Sequence, residues 1–196
     1  MKPILHRRDV VSALLAKRGK LLVVTGLGST AWDCTAAGDS ALTFPLWGAM
    51  GSAAMVGLGL ALAAPRRRVL VVTGDGEMLM GLGSLATIGV QRPDNFSIIV
   101  IDNERYGETG MQKTHTAFGV DLEAIARGAG FGTAKTVSDR RGLLSLRAMA
   151  HETRGPNFAV VKVLAEKLPL TLPPRDGALL KARFRRALLG DGADSQ

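Results

Sequence analysis

The stretch RVLVVTGDGEMLMGLGSLATIGVQRPDNFSIIVIDNERYG, residues 68–107, decides the fold. Residues 69–72 are a short β-branched apolar run that breaks at Gly74-Asp75-Gly76, where a strand of that kind ends. Leu79, Leu82, Leu85, Ala86 and Gly89 then keep roughly helical spacing as far as Gln91, and Pro93 stops the helix. A second apolar run, residues 98–101, ends in Asp102-Asn103. Two near-continuous apolar strands joined by a helix predict a βαβ unit with parallel, buried strands.

In such a unit both strand C-termini lie at one sheet edge. Asp75 and Asn103 can therefore approach each other, at the edge where open α/β sheets bind ligands. One carboxylate and one amide oxygen, beside a glycine turn with free N–H groups, suit a magnesium ion carrying a diphosphate. Mg²⁺ takes few charged protein ligands and completes its octahedron with phosphate oxygens and water.

At these residues the chain resembles the thiamine diphosphate (ThDP) enzymes, whose motif is Gly-Asp-Gly, a gap, then Asn-Asn. Here it stands as Gly74-Asp75-Gly76 … Asp102-Asn103, followed by Glu104-Arg105-Tyr106-Gly107. The resemblance implies an α/β fold: a three-layer, doubly wound, mainly parallel sheet with helices on both faces, the diphosphate-binding (PP) type of ThDP domain. It implies that Asp75 and the Asn103 side chain hold Mg²⁺, with the Arg105 backbone carbonyl as third protein ligand. It also sets Gly74, Gly76, Glu77, Met78, Asn103 and Tyr106 against the cofactor. Asp102 replaces the family's first Asn, which leaves the ligand position intact. Glu77 is a transketolase-like feature.

Working outward toward the N-terminus, residues 8–18 are amphipathic and read as a helix, with Val10, Val11, Leu14 and Leu15 on one face. Residues 21–24 read as a buried strand, followed by a second glycine turn, Thr25-Gly26-Leu27-Gly28-Ser29-Thr30. Hydroxyls and free N–H groups after a strand make a phosphate cradle. By the resemblance Ser29 and Thr30 contact the diphosphate; by local reading alone either could equally cap a helix. Residues 41–63 are rich in small side chains, which lets a helix pack closely and predicts a buried one. Gly48-Ala49-Met50-Gly51 resembles the family segment in which a bulky apolar side chain wedges beneath the bent cofactor. Met50 holds the wedge position, and the Gly48 carbonyl and Met50 N–H would bond the aminopyrimidine.

Toward the C-terminus, residues 108–119 form a polar segment that, in the resembling enzymes, can cover the metal site. His115 is the candidate proton donor or anion contact there. Residues 121–130 read as a helix, 131–136 as a strand, and Ser138 as the cap of a helix over 139–153. Residues 157–163 read as a strand, 168–174 as a proline-bearing linker and 176–189 as a basic closing helix. One ThDP diphosphate-binding domain is expected over residues 1–189, with a disordered tail over 190–196.

The composition is that of a soluble globular protein: 196 residues, 46% hydrophobic and 21% charged. The net charge of +8 raises nucleic-acid binding, but the basic residues are scattered and aromatics reach only 5%. No nucleic-acid partner is therefore expected, and anionic substrates or an acidic partner account for the charge. Cys34 is the single cysteine, which allows no internal disulfide, and a reducing cytoplasm is the expected compartment. No stretch reads as a signal peptide or as a membrane span.

ThDP chemistry also needs a carboxylate on the pyrimidine N1′. In the family that glutamate belongs to a separate pyrimidine-binding (PYR) domain and arrives across a subunit interface. One diphosphate-binding domain accounts for nearly all of this chain, so the resemblance implies that the catalytic Glu lies on a partner α subunit. A hetero-oligomer with at least two copies of each chain follows. The resemblance is closest to β chains of sulfopyruvate and phosphonopyruvate decarboxylases, which implies decarboxylation of an anionic 2-oxo acid. A split-subunit carboligase, a transketolase-like or 2-oxoacid oxidoreductase half, and a non-catalytic cofactor-binding module are the alternatives.

Overall fold

A computed structural model describes residues 4–194. The chain runs α1 (Arg7–Leu15), β1 (Leu22–Thr25), α2 (Ser29–Ala36), β2 (Thr43–Pro45), α3 (Ala53–Ala63), β3 (Val69–Gly74), α4 (Asp75–Met80), α5 (Gly83–Gln91) and β4 (Phe96–Asp102). It continues through β5 (Arg105–Tyr106), β6 (Gln112–Lys113), α6 (Leu122–Gly128), β7 (Thr133–Val137), α7 (Arg140–His151), β8 (Asn157–Lys162) and α8 (Gly177–Leu189). Short 3-10 helices occupy His115–Phe118 and Gly190–Asp194.

The main sheet has the order β2-β1-β3-β4-β8-β7, with every pairing parallel. Side chains of one strand alternate between its two faces. Val69 and Val71 enter a core with α3, α5, α6 and α8, whereas Leu70 and Val72 enter a second core with α1, α2 and α7. All of β4 is buried, as a strand covered on both faces must be. This is the expected three-layer arrangement. The strand order reverses beside β1 and β3, so the turns after β1, β3 and β4 converge at one edge, the switch point where ligands of such sheets bind.

Several local expectations are corrected. The helix after β3 is two helices, α4 and α5, broken at Gly81-Leu82 where Gly81 abuts the Gly51 backbone. A short strand, β2, precedes α3; three residues containing a proline carry too little periodicity to reveal it. Asp139, not Ser138, caps α7, its carboxylate accepting from Gly142 N at 3.0 Å. Gly190–Asp194 form a 3-10 helix, and Ser195 and Gln196, the end of the tail, lie outside the described residues. Among the described residues no helix is long and apolar enough to cross a membrane.

The C-terminal segment wraps back over the sheet edge. Trp47 Nε1 donates to the Pro174 carbonyl at 2.8 Å, and Phe184 of α8 meets Phe44 edge-on at 5.6 Å. Asp176 caps α8, accepting from Ala178 N at 2.8 Å and Leu179 N at 3.1 Å. Asp176→Ala is expected to cost about 1 kcal/mol. The drop would be roughly 2–4 °C in a thermal melt.

Candidate functional site

Register places the site. Gly74 pairs with Ile101 and Lys162 with Asp102, so the next residues, Asp75 and Asp102, emerge side by side at the end of the sheet. Both are buried, at 2% and 1% exposure. Two buried carboxylates this close repel each other. Each is held by hydroxyls from one segment: Thr114 Oγ1 donates to Asp75 Oδ2 at 2.5 Å, and Thr116 Oγ1 lies 3.3 Å from the same oxygen and 2.9 Å from Asp102 Oδ1.

Their charges are compensated unequally. Lys162 Nζ forms an ion pair with Asp102 Oδ2 at 2.7 Å and reaches Glu104 Oε1 at 2.8 Å. Burial opposes the Lys162 ammonium, but those two carboxylates keep its pKa above the ordinary lysine value. Asp75 has no cation beside it among the described residues. Burial first, and the Asp102 charge second, push the Asp75 carboxyl up to about 6 against the pull of the two threonines. A buried carboxylate short of a cation fits a metal ligand.

Asn103 follows on the same edge. Its Oδ1 accepts from Arg105 N at 2.9 Å, which fixes the amide and leaves the oxygen a second lone pair. A carboxylate, an amide oxygen and nearby backbone carbonyls form the hard oxygen set that Mg²⁺ takes together with phosphate oxygens and water. Among the described residues no group of three His, Cys, Asp or Glu forms a cluster that could hold a metal unaided.

A cavity of about 410 Å³ opens at this edge. Gly28, Ser29, Met50, Gly74, Asp75, Gly76, Glu77, Asn103, Arg105 and Tyr106 line it, so most of the expected site residues are brought together. The Tyr106 ring occupies the space a Gly76 side chain would need, with the Met50 methyl 3.5 Å from that point. Glu77 is 4% exposed and takes a hydrogen bond from Thr73 Oγ1 at 3.0 Å. Burial raises the Glu77 carboxyl, against the Thr73 hydroxyl and the nearby amides of Ala53, Leu27 and Gly51.

Other expected residues lie elsewhere. His115 is exposed and does not line the cavity, because the 3-10 turn points Thr114 and Thr116 inward and the residue between them outward. The Thr30 hydroxyl turns back to the Gly26 and Leu27 carbonyls at 3.1 and 3.2 Å, so it closes its own turn. The Met78 side chain is in the core, 2% exposed. Gly48 is exposed and outside the cavity lining. Sequence reasoning missed Thr114, Thr116 and Lys162; the Thr-His-Thr alternation around the single flagged histidine was the available signal. It also missed the segment Glu166, Lys167, Leu168 and Leu170, which walls one side of the cavity.

A switch-point cavity with a carboxylate, an amide oxygen and two glycine turns defines a thiamine diphosphate-binding domain. Residues 27–163 match the family model of the thiamine pyrophosphate enzyme C-terminal TPP binding domain. The chain belongs to that family. Within it, the chain is similar to sulfopyruvate decarboxylase subunit beta of Methanothermobacter thermautotrophicus, at 34% identity over 191 residues covering 97% of this chain and 100% of that one. The subunit of the same name from Methanocaldococcus jannaschii is 41% identical over 133 residues, 67% of this chain and 70% of its own. Phosphonopyruvate decarboxylase of Streptomyces viridochromogenes is 38% identical over 164 residues, 83% of this chain and 41% of its own. The solved benzoylformate decarboxylase of Polynucleobacter necessarius superposes with a TM-score of 0.68 at 20% identity. That match covers 85% of this chain and 34% of the longer one, and it bears on the fold alone.

The turn after β1 carries a further feature. The Glu108 carboxylate lies against Gly28, in the space a side chain there would fill. A diphosphate held at this turn would meet that charge. Glu108→Gln is expected to tighten ThDP binding roughly two- to fivefold, the scale of one exposed like-charge contact. A ThDP titration followed by intrinsic fluorescence measures it.

Proposed function

We propose that this chain is the diphosphate-binding β subunit of a two-subunit ThDP- and Mg²⁺-dependent decarboxylase. Its substrate is an anionic 3-substituted pyruvate such as sulfopyruvate or phosphonopyruvate. The observation that carries the reading is the similarity to a sulfopyruvate decarboxylase β subunit, which spans 97% of this chain and all of that one.

ThDP, when bound, supplies the carbon nucleophile and the electron sink for loss of CO₂. The chain's own residues hold and shape it. Asp75 and Asn103 Oδ1 take Mg²⁺, with the Arg105 carbonyl as third ligand. Thr114 and Thr116 fix the Asp75 carboxylate, and the Arg105 amide fixes Asn103. Gly28 and Ser29 would border the diphosphate, and Met50, which faces Gly76 and Tyr106, would support the cofactor's rings. The 166–170 segment keeps water from that side.

The partner is a PYR-domain α subunit carrying the activating glutamate. A helix that is apolar all round is normally buried on every side. α3 contains no charged residue, yet Met55, Val56 and Leu62 on its outer face are 42%, 37% and 51% exposed, with Met80 and Val90 beside them. This face directly follows the Met50 loop, which supports a second chain covering both.

The test is co-expression with a PYR-domain chain, followed by CO₂ release from a panel of anionic 2-oxo acids with ThDP and Mg²⁺. Release is expected only from the paired subunits. Its absence with every acid would sink the decarboxylase reading.

A further inference from the structure

Arg7 is the first residue of α1 and lies outside the segment that matches the family model. It is 3% exposed and lines the cavity with Gly28, Ser29, Asp75 and Gly76. Its Nη1 donates to Asp33 Oδ2 at 2.5 Å and to the Ser29 carbonyl at 3.3 Å. Among the described residues Nε and Nη2 have no acceptor, and neither atom is sealed within the protein. A guanidinium carries five N–H donors in a fixed fork. Arg7 lines the cavity, and these donors are the ones it has left to offer an occupant.

A simple structural ion pair does not account for this arrangement. Arg8 Nε also binds Asp33, at 3.1 Å, so two guanidiniums share one carboxylate and a positive charge is left over. Of the two only Arg7 is buried, at 4% side-chain exposure against 25% for Arg8, so an anion in the cavity would be favoured beside it. Two further features mark the same spot for an anion. Helix α2 begins at Gly28 with no side-chain cap on its first-turn amides, and Gly28 and Ser29 line the same cavity as Arg7.

We infer that Arg7 is a cofactor-binding residue whose free guanidinium N–H groups take the terminal phosphate of ThDP. The inference rests on the proposed function, since it needs the cavity to hold ThDP. Planar, charge-assisted contact of this kind is what arginine provides and lysine does not.

The experiment is a ThDP titration of the cofactor-free α–β complex with Mg²⁺, followed by fluorescence or calorimetry. Arg7→Met is expected to weaken ThDP on the order of tenfold to a hundredfold, and Arg7→Lys to recover only part of it. Because Arg7→Met also takes the partner from Asp33 Oδ2 and leaves only Arg8 on Oδ1, the double variant Arg7→Met/Asp33→Leu is titrated alongside. The double variant leaves no buried carboxylate unpaired and keeps the local charge balance, while Arg8, a quarter exposed, still donates to the Pro169 carbonyl. Its thermal midpoint should return toward wild type while ThDP stays weak. Affinity within twofold of wild type in both variants would overturn the inference and leave the proposed function standing. So would unchanged ThDP affinity with a raised KM for the 2-oxo acid, which would assign Arg7 to the substrate. A wild-type complex that binds no ThDP would remove both.

Discussion

Asp75→Asn is expected to abolish Mg²⁺-dependent ThDP binding and, in the metal-free chain, to raise thermal stability at neutral pH. Both effects come from one atom. The wild-type carboxyl is buried against Asp102 without a cation of its own, which pushes it up to about 6 from 3.8. A raised carboxyl favours the protonated folded chain. Its stabilising contribution is complete below the unfolded value of 3.8 and is lost as pH rises through about 6. At neutral pH the ionised Asp75 therefore costs the metal-free protein at most about 3 kcal/mol. Asparagine keeps an acceptor for Thr114 and removes the charge.

The metal-free variant should melt on the order of 5–10 °C higher at pH 7. The gap should close as pH falls from about 6 toward 4. In the wild type, Mg²⁺ must displace the Asp75 proton, so cofactor affinity should fall about tenfold per pH unit below that range. Differential scanning across pH, with and without Mg²⁺ and ThDP, checks both halves. Equal melting temperatures for the two metal-free chains at pH 7 would refute the electrostatic account, and metal-dependent ThDP binding by the variant would refute the ligand assignment.

Gly81→Ala is expected to disable the assembled enzyme while leaving the chain folded. Gly81 separates α4 from α5, and a Cβ there would run into the Gly51 carbonyl oxygen, a backbone atom that cannot rotate aside. Gly51 in turn has φ +94 and lies against the Met80 backbone, so the two glycines fix the loop that carries Met50. Relief comes by moving that loop, at a stability cost of about 1–3 kcal/mol. A displacement near 1 Å in a positioning group can cost about a hundredfold in rate. Steady-state turnover with ThDP titration would show it. Wild-type turnover would mean that Met50 is held by other contacts.

The architecture was legible where periodicity was strong. Residues 69–72 and 98–101 are β-branched runs too apolar for anything but strands covered on both faces, and Asp75 and Asn103 follow from where such strands end. β2 was not legible, because its pairing with β1 is decided by tertiary contact rather than by its own three residues. The break between α4 and α5 depends on a backbone contact with Gly51, thirty positions upstream in sequence. His115 drew attention because histidine titrates near neutrality, whereas the residues that reach the carboxylates are its neighbours Thr114 and Thr116. Arg7 and Lys162 could not be singled out at all: each is one basic residue among 25, and only folding sets it beside Asp33 or Asp102.

Lys162 sits directly across the register from Asp102 and supplies the charge that lets an acid stand where the family motif has an amide. The two positions therefore behave as one exchangeable unit. Relatives with asparagine at the position of Asp102 should have lost the cation at 162, and loss of the cation alone should be rare, because it leaves the buried Asp102 charge without its counterpart. The unusual first letter of the Asp-Asn pair is, on this view, a change inherited together with its neighbour on β8.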